Sequence, residues 1–275
     1  MYGSEDTDLV VRYYDIAFGI HGEYEDTWYL NKVKQYGGPV LDLACGTGRM
    51  AMMIAKAGFN VMGLDKSEGM LNQFKRTLGQ QPSEIRDRIT IEEQDMKNFS
   101  LGRKFNTIMC CDAFFHNLTI SDEIACLGCV AGHLTANGGF VFNLPNPNCE
   151  FIIKSAQSGG KTFERRGKYP LKETGEILVV EEAQDADPFE QIITTTLRFT
   201  IFDVDGHQNM LGLSSWKTRY LFRYEIIHLL YRCGLNIKSL VGDYQEGPVR
   251  EDSQLIFESQ LHNWKNTNRR MAPID

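Results

Sequence analysis

The stretch VLDLACGTGRM, from Val40 to Met50, runs from apolar residues through an aspartate into a glycine-rich turn. Its apolar start predicts a short strand, and the RMAMMIAKAG segment that Gly58 closes predicts a helix. Glycines at such a turn let the backbone approach a ligand closely, and the helix N-terminus offers free N–H groups. The stretch therefore predicts a nucleotide-like ligand at the end of a strand.

The same letters leave two ligand classes open. GTGRMA fits the dinucleotide fingerprint, with Asp65 near the end of the next strand, and this single match also suits a nicotinamide-dependent oxidoreductase. Asp42 lies four residues before Gly46, where a carboxylate would repel a pyrophosphate and attract a cation. In an oxidoreductase this loop is expected to lack the acid, because it must tolerate a pyrophosphate. Asp42 therefore favours a ligand with a cationic tail.

Two further acids follow successive predicted strands. Asp65 ends VMGLD, where a carboxylate can accept hydrogen bonds from both ribose hydroxyls. Asp95, in EEQDM, follows the third strand on the same edge, where it can accept a hydrogen bond from the adenine amino group. A nucleoside with a cationic tail is S-adenosylmethionine, and the three acids together predict it as the cofactor.

The first half of the chain alternates predicted strands and helices. SEGMLNQFKRTL begins at an N-cap, Ser67, and carries an apolar face. ITIEEQD, FNTIMCCD and GGFVFNLPNP predict further strands, with the helix SDEIACLGCVAGHL before the last of them. This alternation predicts an α/β, doubly wound parallel sheet with helices on both faces.

After Pro147 the rhythm changes. Three runs, EILVVEEAQ, IITTTLRFTIFDVDG and MLGLSSWKTRYLF, have a turn at Asp205-Gly206 and no long helix between them. They predict an antiparallel sheet inserted over residues 149–221. The doubly wound pattern then resumes with a helix closed by Gly234 and a strand after it, and it finishes with the strand SQLIFESQL. We expect a single domain over residues 1–275, because α/β domains often run to roughly 200–250 residues.

Charge and composition limit the classes of partner and the location that we expect for this protein. The net charge is −7, and the scattered Lys and Arg residues lack the basic stripe of a nucleic-acid-binding protein. The acidic N-terminus and the lack of an 18-residue apolar run predict no signal peptide and no membrane span, and hence a cytoplasmic protein.

The seven cysteines favour reduced thiols over a disulfide framework, because the number is odd and Cys110 and Cys111 are adjacent in an apolar run. Cys126, Cys129 and His133 share one predicted helix face. No second Cys/His pair at ligand spacing lies nearby, so apolar packing is favoured over zinc, and no metal is expected.

These motifs resemble those of class I S-adenosylmethionine-dependent methyltransferases. LDLACGTG matches the first motif of that family, GLDKSEGML the second and EEQDMKNF the adenine-contacting motif, in order across about the first 150 residues. The inserted sheet, DMKNFSLGRKFNTIM and the ending GLNIKSLVGDYQ resemble the small-molecule branch, which includes deoxyamino-sugar N,N-dimethyltransferases and glycine N-methyltransferase-like enzymes. The resemblance implies a Rossmann-like, seven-stranded sheet with a reversed C-terminal hairpin, and methyl transfer to N or O of a small molecule.

The resemblance also implies roles for particular residues. The methionine end of the cofactor would contact Asp42, Ala44, Gly46, Gly48 and the Cys111 backbone. The ribose and adenine edge would contact Asp65, Lys66 and Met70, and the adenine pocket would contain Asp95 and Met96. Tyr14 would cover the cofactor. Ordinary structural roles are the alternative, since Asp42 and Asp65 could cap helices, Tyr14 could be a half-buried aromatic residue and Met70 could be core.

Catalysis in such a site is mostly positioning. His116, in CDAFFHNL after the fourth strand, is the candidate general base. It could instead hydrogen-bond the substrate or pack under the lid, and Asp112 and Asn117 are alternatives for orienting the substrate.

The inserted sheet is expected to form a lid that carries Trp216, Arg219, Tyr220 and Arg223. These side chains could equally form a private core or an oligomer contact, and a projecting sheet makes a homodimer reasonable. The nucleic-acid and protein modifiers of the family usually carry a tetrapeptide such as N-P-P-Y where this chain has CDAF. Two alternatives stay open: a protein that binds S-adenosylmethionine without turnover, and an RNA methyltransferase, which the acidic charge disfavours.

Overall fold

The structure is a computed structural model and describes residues 7–18 and 22–262. Two helices precede the first strand, α1 (Thr7–Phe18) and α2 (Glu23–Tyr36). Sequence patterning does not reveal α2, because two of the five positions on its buried stripe are charged. The members of the stripe are Glu25, Trp28, Tyr29, Lys32 and Val33.

Seven strands form one mixed sheet in the order β10-β11-β5-β4-β1-β2-β3. The strands are β1 (Val40–Leu43), β2 (Val61–Asp65), β3 (Ile89–Glu93), β4 (Phe105–Cys110), β5 (Leu134–Pro145), β10 (Leu235–Val241) and β11 (Gln254–Leu261). The helices between them are α3 (Arg49–Lys56), α4 (Glu68–Gly79), α5 (Ser83–Arg86), α6 (Ile120–His133) and α8 (Arg223–Arg232). Strands β1 to β5 pair in parallel, and β11 is antiparallel to both β5 and β10. The predicted doubly wound sheet with a reversed C-terminal hairpin is confirmed.

The strand order indicates at which edge of the large sheet a ligand would bind. The chain crosses over β1 between β3 and β4, so the order changes direction between β1 and β4. Ligands of open α/β sheets bind outside the carboxyl ends of the strands at this kind of switch point. The glycine-rich turn after β1 and the CDAF segment after β4 therefore face one crevice.

Aromatic packing fixes the far half of the sheet. Phe142 of β5 stacks on Phe140 at 4.7 Å and on Phe257 of β11 at 5.0 Å, measured between ring centroids. All three side chains are fully buried. Burying an apolar side chain of this size contributes about 1.5–3 kcal/mol, so this stack holds the reversed strand firmly against β5.

A second, antiparallel sheet has the strand order β6-β7-β8-β9. Its strands are β6 (Glu164–Pro170), β7 (Ile177–Asp187), β8 (Ile192–Phe202) and β9 (Gln208–Arg219), with α7 (Cys149–Ser158) before them. The inserted sheet and its turn at Gly206, whose φ is 84°, agree with prediction. The helix α7 and the strand β6 were not predicted. The polar cap of α7 is Asn148, whose side chain accepts a 2.8 Å hydrogen bond from the Phe151 amide.

The small sheet contacts the rest of the chain in two ways. Helix α1 packs Val10 and Tyr13 against Leu178 and Phe199 on one face of the sheet, in a cluster that also contains Met70 of α4. Near the end of β9, Arg219 pairs with Glu123 of α6 at 2.7 Å, and both side chains are buried. Helix α1 thus lies between the small sheet and helix α4.

Candidate active site

A cavity of about 710 Å³ lies at the carboxyl edge of the large sheet, within the size range of small-molecule sites. Its lining includes ten of the twelve residues predicted for the site. These ten are Tyr14, Ala44, Gly46, Asp65, Lys66, Met70, Asp95, Met96, Cys111 and His116. The structure therefore gathers residues from five separate segments into one pocket.

The turn after β1 has the backbone conformation that its glycines suggested. Gly46 has a φ of 56°, and a Cβ added there would meet no atom within 4 Å. Ala44 also adopts a positive φ, 54°, which costs a non-glycine residue on the order of 1–3 kcal/mol. The open space beside Gly46 is room for a ligand to approach the backbone.

Asp65 is held rigidly at the end of β2. Its carboxylate accepts hydrogen bonds from the amides of Gly46 at 2.9 Å and Ser67 at 2.8 Å. Burial raises the pKa of this carboxyl group, while these amides and Lys66 oppose the rise. A carboxylate has about four lone-pair positions, so Asp65 retains acceptor capacity for ligand hydroxyls.

Asp42 does not line the cavity. It lies beneath the turn, 2% exposed, where its carboxylate accepts a hydrogen bond from the Ala51 amide in the first turn of α3. Burial raises its pKa to about 7, with Arg49 lowering it and Asp65 raising it. Its Oδ2 has no hydrogen-bond partner among the described residues. The geometry thus matches the helix-capping alternative, and contact with the ligand stays a prediction.

Gly48 is also absent from the cavity lining. It is the N-cap of α3, with a φ of 87°. A Cβ there would lie 2.2 Å from the Phe74 ring of α4, an approach that no side chain can make. The visible reason for this glycine is helix packing.

The region after β3 forms the far end of the cavity. Asp95 accepts a hydrogen bond from the Lys97 amide at 3.2 Å and lies 3.7 Å from the Lys66 ammonium group. Asn117, proposed as a substrate-orienting residue, is buried instead and donates to the Phe114 carbonyl at 2.9 Å and to the Met96 sulfur at 3.8 Å. It supports the pocket wall and is not among the lining residues.

Aromatic residues cover the cavity. Tyr14 of α1 stacks on Phe18 with ring centroids 5.1 Å apart, and Phe18 meets Trp216 of β9 edge-on at 6.1 Å. Burial, reinforced by Asp112 and Asp65, raises the pKa of Tyr14 to about 12, so its hydroxyl stays protonated. Tyr14 and Trp216 both line the cavity.

Of the four residues predicted on the lid, Trp216 alone lines the cavity. Arg219 forms the buried ion pair with Glu123. Tyr220 packs against Ile152 of α7, and Arg223 stacks on the Tyr224 ring. The last three therefore contact neighbouring elements and not the cavity.

His116 lies in a 3₁₀ turn, Phe114–His116, on the cavity wall. Its ring hydrogen-bonds the backbone of Lys217 in β9, and burial lowers its pKa to about 4. The imidazole is therefore neutral near pH 7. Burial makes this imidazole a weak base near neutral pH, and the role of His116 as general base or as substrate-positioning residue stays a prediction.

A charged cluster beside Cys111 was not predicted from the sequence. Glu25 of α2 accepts hydrogen bonds at 3.0 Å from both Arg49 and the Cys111 thiol. Arg49 also pairs with Asp26. The position of Arg49 directly after the glycine-rich turn could have marked it as a site residue. Glu25 carries no such signal, because the hydrophobic pattern of the sequence does not reveal helix α2.

The candidate zinc ligands have other contacts. Cys126 is fully buried in the apolar core. Both ring nitrogens of His133 face backbone groups, the Cys129 carbonyl at 2.8 Å and the Leu101 amide at 3.1 Å. Backbone pairing explains His133 without a metal.

Comparisons with known proteins agree with this geometry. Residues 40–138 match the family model described as a methyltransferase domain. A curated relative, the putative methyltransferase YqeM of Bacillus subtilis (strain 168), is 24% identical over 226 residues, covering 81% of this chain and 84% of the relative.

Solved structures share the fold. An S-adenosylmethionine-dependent methyltransferase from Clostridium acetobutylicum ATCC 824 superposes with a TM-score of 0.72 at 19% identity, covering 94% of this chain and 99% of the other. CalS10, an amino pentose methyltransferase from Micromonospora echinaspora, has a TM-score of 0.69 at 18% identity and covers 90% and 96%. Residues 40–138 are a methyltransferase domain, and the chain has the class I fold of S-adenosylmethionine-dependent methyltransferases.

Proposed function

We propose that this protein is an enzyme that transfers a methyl group from S-adenosylmethionine to a nitrogen or oxygen of a small-molecule acceptor. The observation that carries the proposal is the cavity, which brings the predicted residues Gly46, Asp65, Asp95 and Cys111 together at the carboxyl edge of the sheet. The methyltransferase domain over residues 40–138 supports the same activity.

The donor set fits this cofactor. Asp65 presents a carboxylate with acceptor capacity left for a ribose diol, and Asp95 presents one for an amino group. The space beside Gly46 admits a ligand close to the backbone. Arg49 at the start of α3 already pairs with Glu25 and Asp26, an arrangement that does not favour the pyrophosphate of a dinucleotide.

The cofactor, when bound, supplies an electrophilic methyl group on a sulfonium centre. The task of the chain is then to hold an acceptor in line at roughly 3–3.5 Å and to exclude water. Tyr14 and Trp216 form an apolar cover over the cavity. Asp112, exposed at the cavity wall, and His116 offer polar groups near the carboxyl end of β4, where an acceptor can be oriented.

The structural neighbour whose name specifies an amino pentose substrate supports an amine acceptor. A neutral amine is nucleophilic without a strong base, and the neutral His116 fits that requirement. We therefore assign His116 to orientation of the acceptor and not to proton abstraction.

This assignment is tested by turnover with a panel of primary amines and aminosugars, followed as S-adenosylhomocysteine release and a methyl mass increment. We expect wild-type protein to methylate at least one of them. His116→Gln should lower kcat/KM by about tenfold or less, because loss of a general base costs roughly 10²–10⁴-fold. A larger loss, recovered as pH rises, would mean that His116 is the base, and release of no product with any acceptor would favour binding without turnover.

Two further proposals concern the cell and the assembly. All seven cysteines are free thiols, which supports a reducing compartment such as the cytoplasm; no helix of residues 7–18 or 22–262 is both long enough and apolar enough to span a membrane. The small sheet exposes Ile177, Leu211 and Leu213, which supports a homodimer through this sheet. Light scattering of wild type and Leu213→Asp measures that assembly.

A further inference from the structure

The segment after β4 is held by a buried carboxamide on the neighbouring strand. Asn143 of β5 is 1% exposed, and a buried amide is tolerated only when its polar atoms are hydrogen-bonded. Its position in the middle of the sheet next to β4 puts it directly behind the cavity wall. Neither composition nor motif spacing singles this residue out.

The Asn143 carboxamide is fully satisfied. Its Oδ1 accepts hydrogen bonds from the Tyr29 hydroxyl at 2.9 Å and from the Asp112 amide at 2.8 Å. Its Nδ2 donates to the Asp112 carboxylate and to Gln254 Oε1, the latter at 3.1 Å. These four bonds use both lone pairs and both protons of the group, so the orientation of the amide is fixed.

Two of these bonds hold one residue. Asp112 has a φ of 49°, a left-handed conformation that costs a non-glycine residue on the order of 1–3 kcal/mol and persists only where the surroundings enforce it. Asn143 holds both its amide and its carboxylate. Because Asp112 lines the cavity beside Cys111 and Ala113, the strain is stored at the pocket and not in a remote turn.

The charges near Asp112 indicate what it faces. It lies close enough to Tyr14 to raise the pKa of that hydroxyl, as does Asp65. The cavity lining therefore places two carboxylates, those of Asp112 and Asp65, near Tyr14. A carboxylate here would stabilise a cationic group at the reacting end of the cavity.

We propose that Asn143 is a positioning residue, which fixes Asp112 so that its carboxylate holds a cationic or amine group where methyl transfer takes place. This rests on the proposed function and extends it to a residue outside the binding motifs. The role of Asn143 is indirect, since it acts through Asp112.

Sinefungin is a suitable probe, because it carries an amine where S-adenosylmethionine carries the reactive methyl, whereas S-adenosylhomocysteine carries nothing there. The ratio of the two dissociation constants, measured by calorimetry, reports the carboxylate at the transfer position. We expect wild type to bind sinefungin about tenfold more tightly, since hydrogen bonds to charged groups are worth roughly 1.5–3 kcal/mol. Asp112→Asn should abolish this preference.

Asn143→Ala should reduce the preference at least threefold and leave affinity for S-adenosylhomocysteine within about twofold of wild type. The matched control is Asn106→Ala, which removes a carboxamide bonded to Gly38 and Thr135 at the opposite end of β4 and should leave the ratio unchanged. Equal weakening of both ligands by Asn143→Ala, or a ratio that Asp112→Asn does not change, overturns the inference. No binding of S-adenosylhomocysteine to wild type would instead overturn the proposed function.

Discussion

At the scale of single residues, the pattern of three acids predicted more than any other signal, yet the three acids differ in role. Asp65 and Asp95 line the cavity, whereas Asp42 lies under the turn. The sequence can place an acid at the end of a strand, because strands and turns are recognised from patterns of neighbouring residues. Whether its side chain points into the crevice or back toward the first turn of α3 depends on packing that no local pattern contains.

The buried Asp42 makes stability depend on pH. Its pKa rises from the ordinary 3.8 to about 7 in the folded state, so its protonated form is favoured there and stability falls as pH increases from 3.8 to about 7. Asp42→Asn should gain stability relative to wild type across this window, by about 1.4 kcal/mol per unit of pKa difference. Urea unfolding at several pH values measures this. The exposed Asp87→Asn is the control and should follow the wild-type curve; parallel curves for Asp42→Asn would contradict the prediction.

At the scale of elements, the sequence predicted the alternating strands and longer helices of the large sheet, but not α1, α2, α5 or α7 as helices. The predicted strands carry continuous apolar runs, which a single sequence displays directly. Helix α2 buries Glu25 and Lys32 on its inner face. These charges are compensated by Arg49, 24 residues from Glu25, and by Glu258, 226 residues from Lys32. Compensation of this kind becomes visible only once the fold is known.

A buried ion pair attaches the small sheet to helix α6 and should contribute to stability. Arg219 and Glu123 form a buried pair between β9 and α6, and burial outweighs the ion pair enough to raise the pKa of Glu123 to about 7. Arg219→Met leaves this carboxyl group without its partner and should lower the free energy of unfolding by about 3 kcal/mol, as for other broken buried pairs.

The control is Arg198→Met on the neighbouring strand, whose pair with Glu181 is partly exposed and should contribute about 1 kcal/mol or less. Urea denaturation of both variants gives the comparison. Replacing both members of the buried pair, with Glu123→Leu added to Arg219→Met, should recover most of the loss. Similar losses for the two single variants would show that the buried pair is not a structural anchor.

At the scale of the whole molecule, three units meet at the cavity: the carboxyl ends of the large sheet, helix α1 and strand β9. The first was predictable, because parallel strands bring their carboxyl ends to one side. The other two were not, because Tyr14 and Trp216 meet through Phe18 only after α1 has packed against the small sheet. The support of Asp112 by Asn143 is likewise a contact between distant parts of the chain.

We propose above that the cavity binds S-adenosylmethionine, and Asp65 is the residue expected to hold its ribose. The most direct test is calorimetric titration of the purified protein with S-adenosylhomocysteine, run beside NADH and repeated with Asp65→Ala. We predict micromolar binding of S-adenosylhomocysteine, no comparable binding of NADH, and about a hundredfold weaker binding in the variant, since two hydrogen bonds to a charged group are lost. Preference for NADH would show that the cavity is a dinucleotide site, and equal affinity in Asp65→Ala would show that Asp65 does not hold the cofactor.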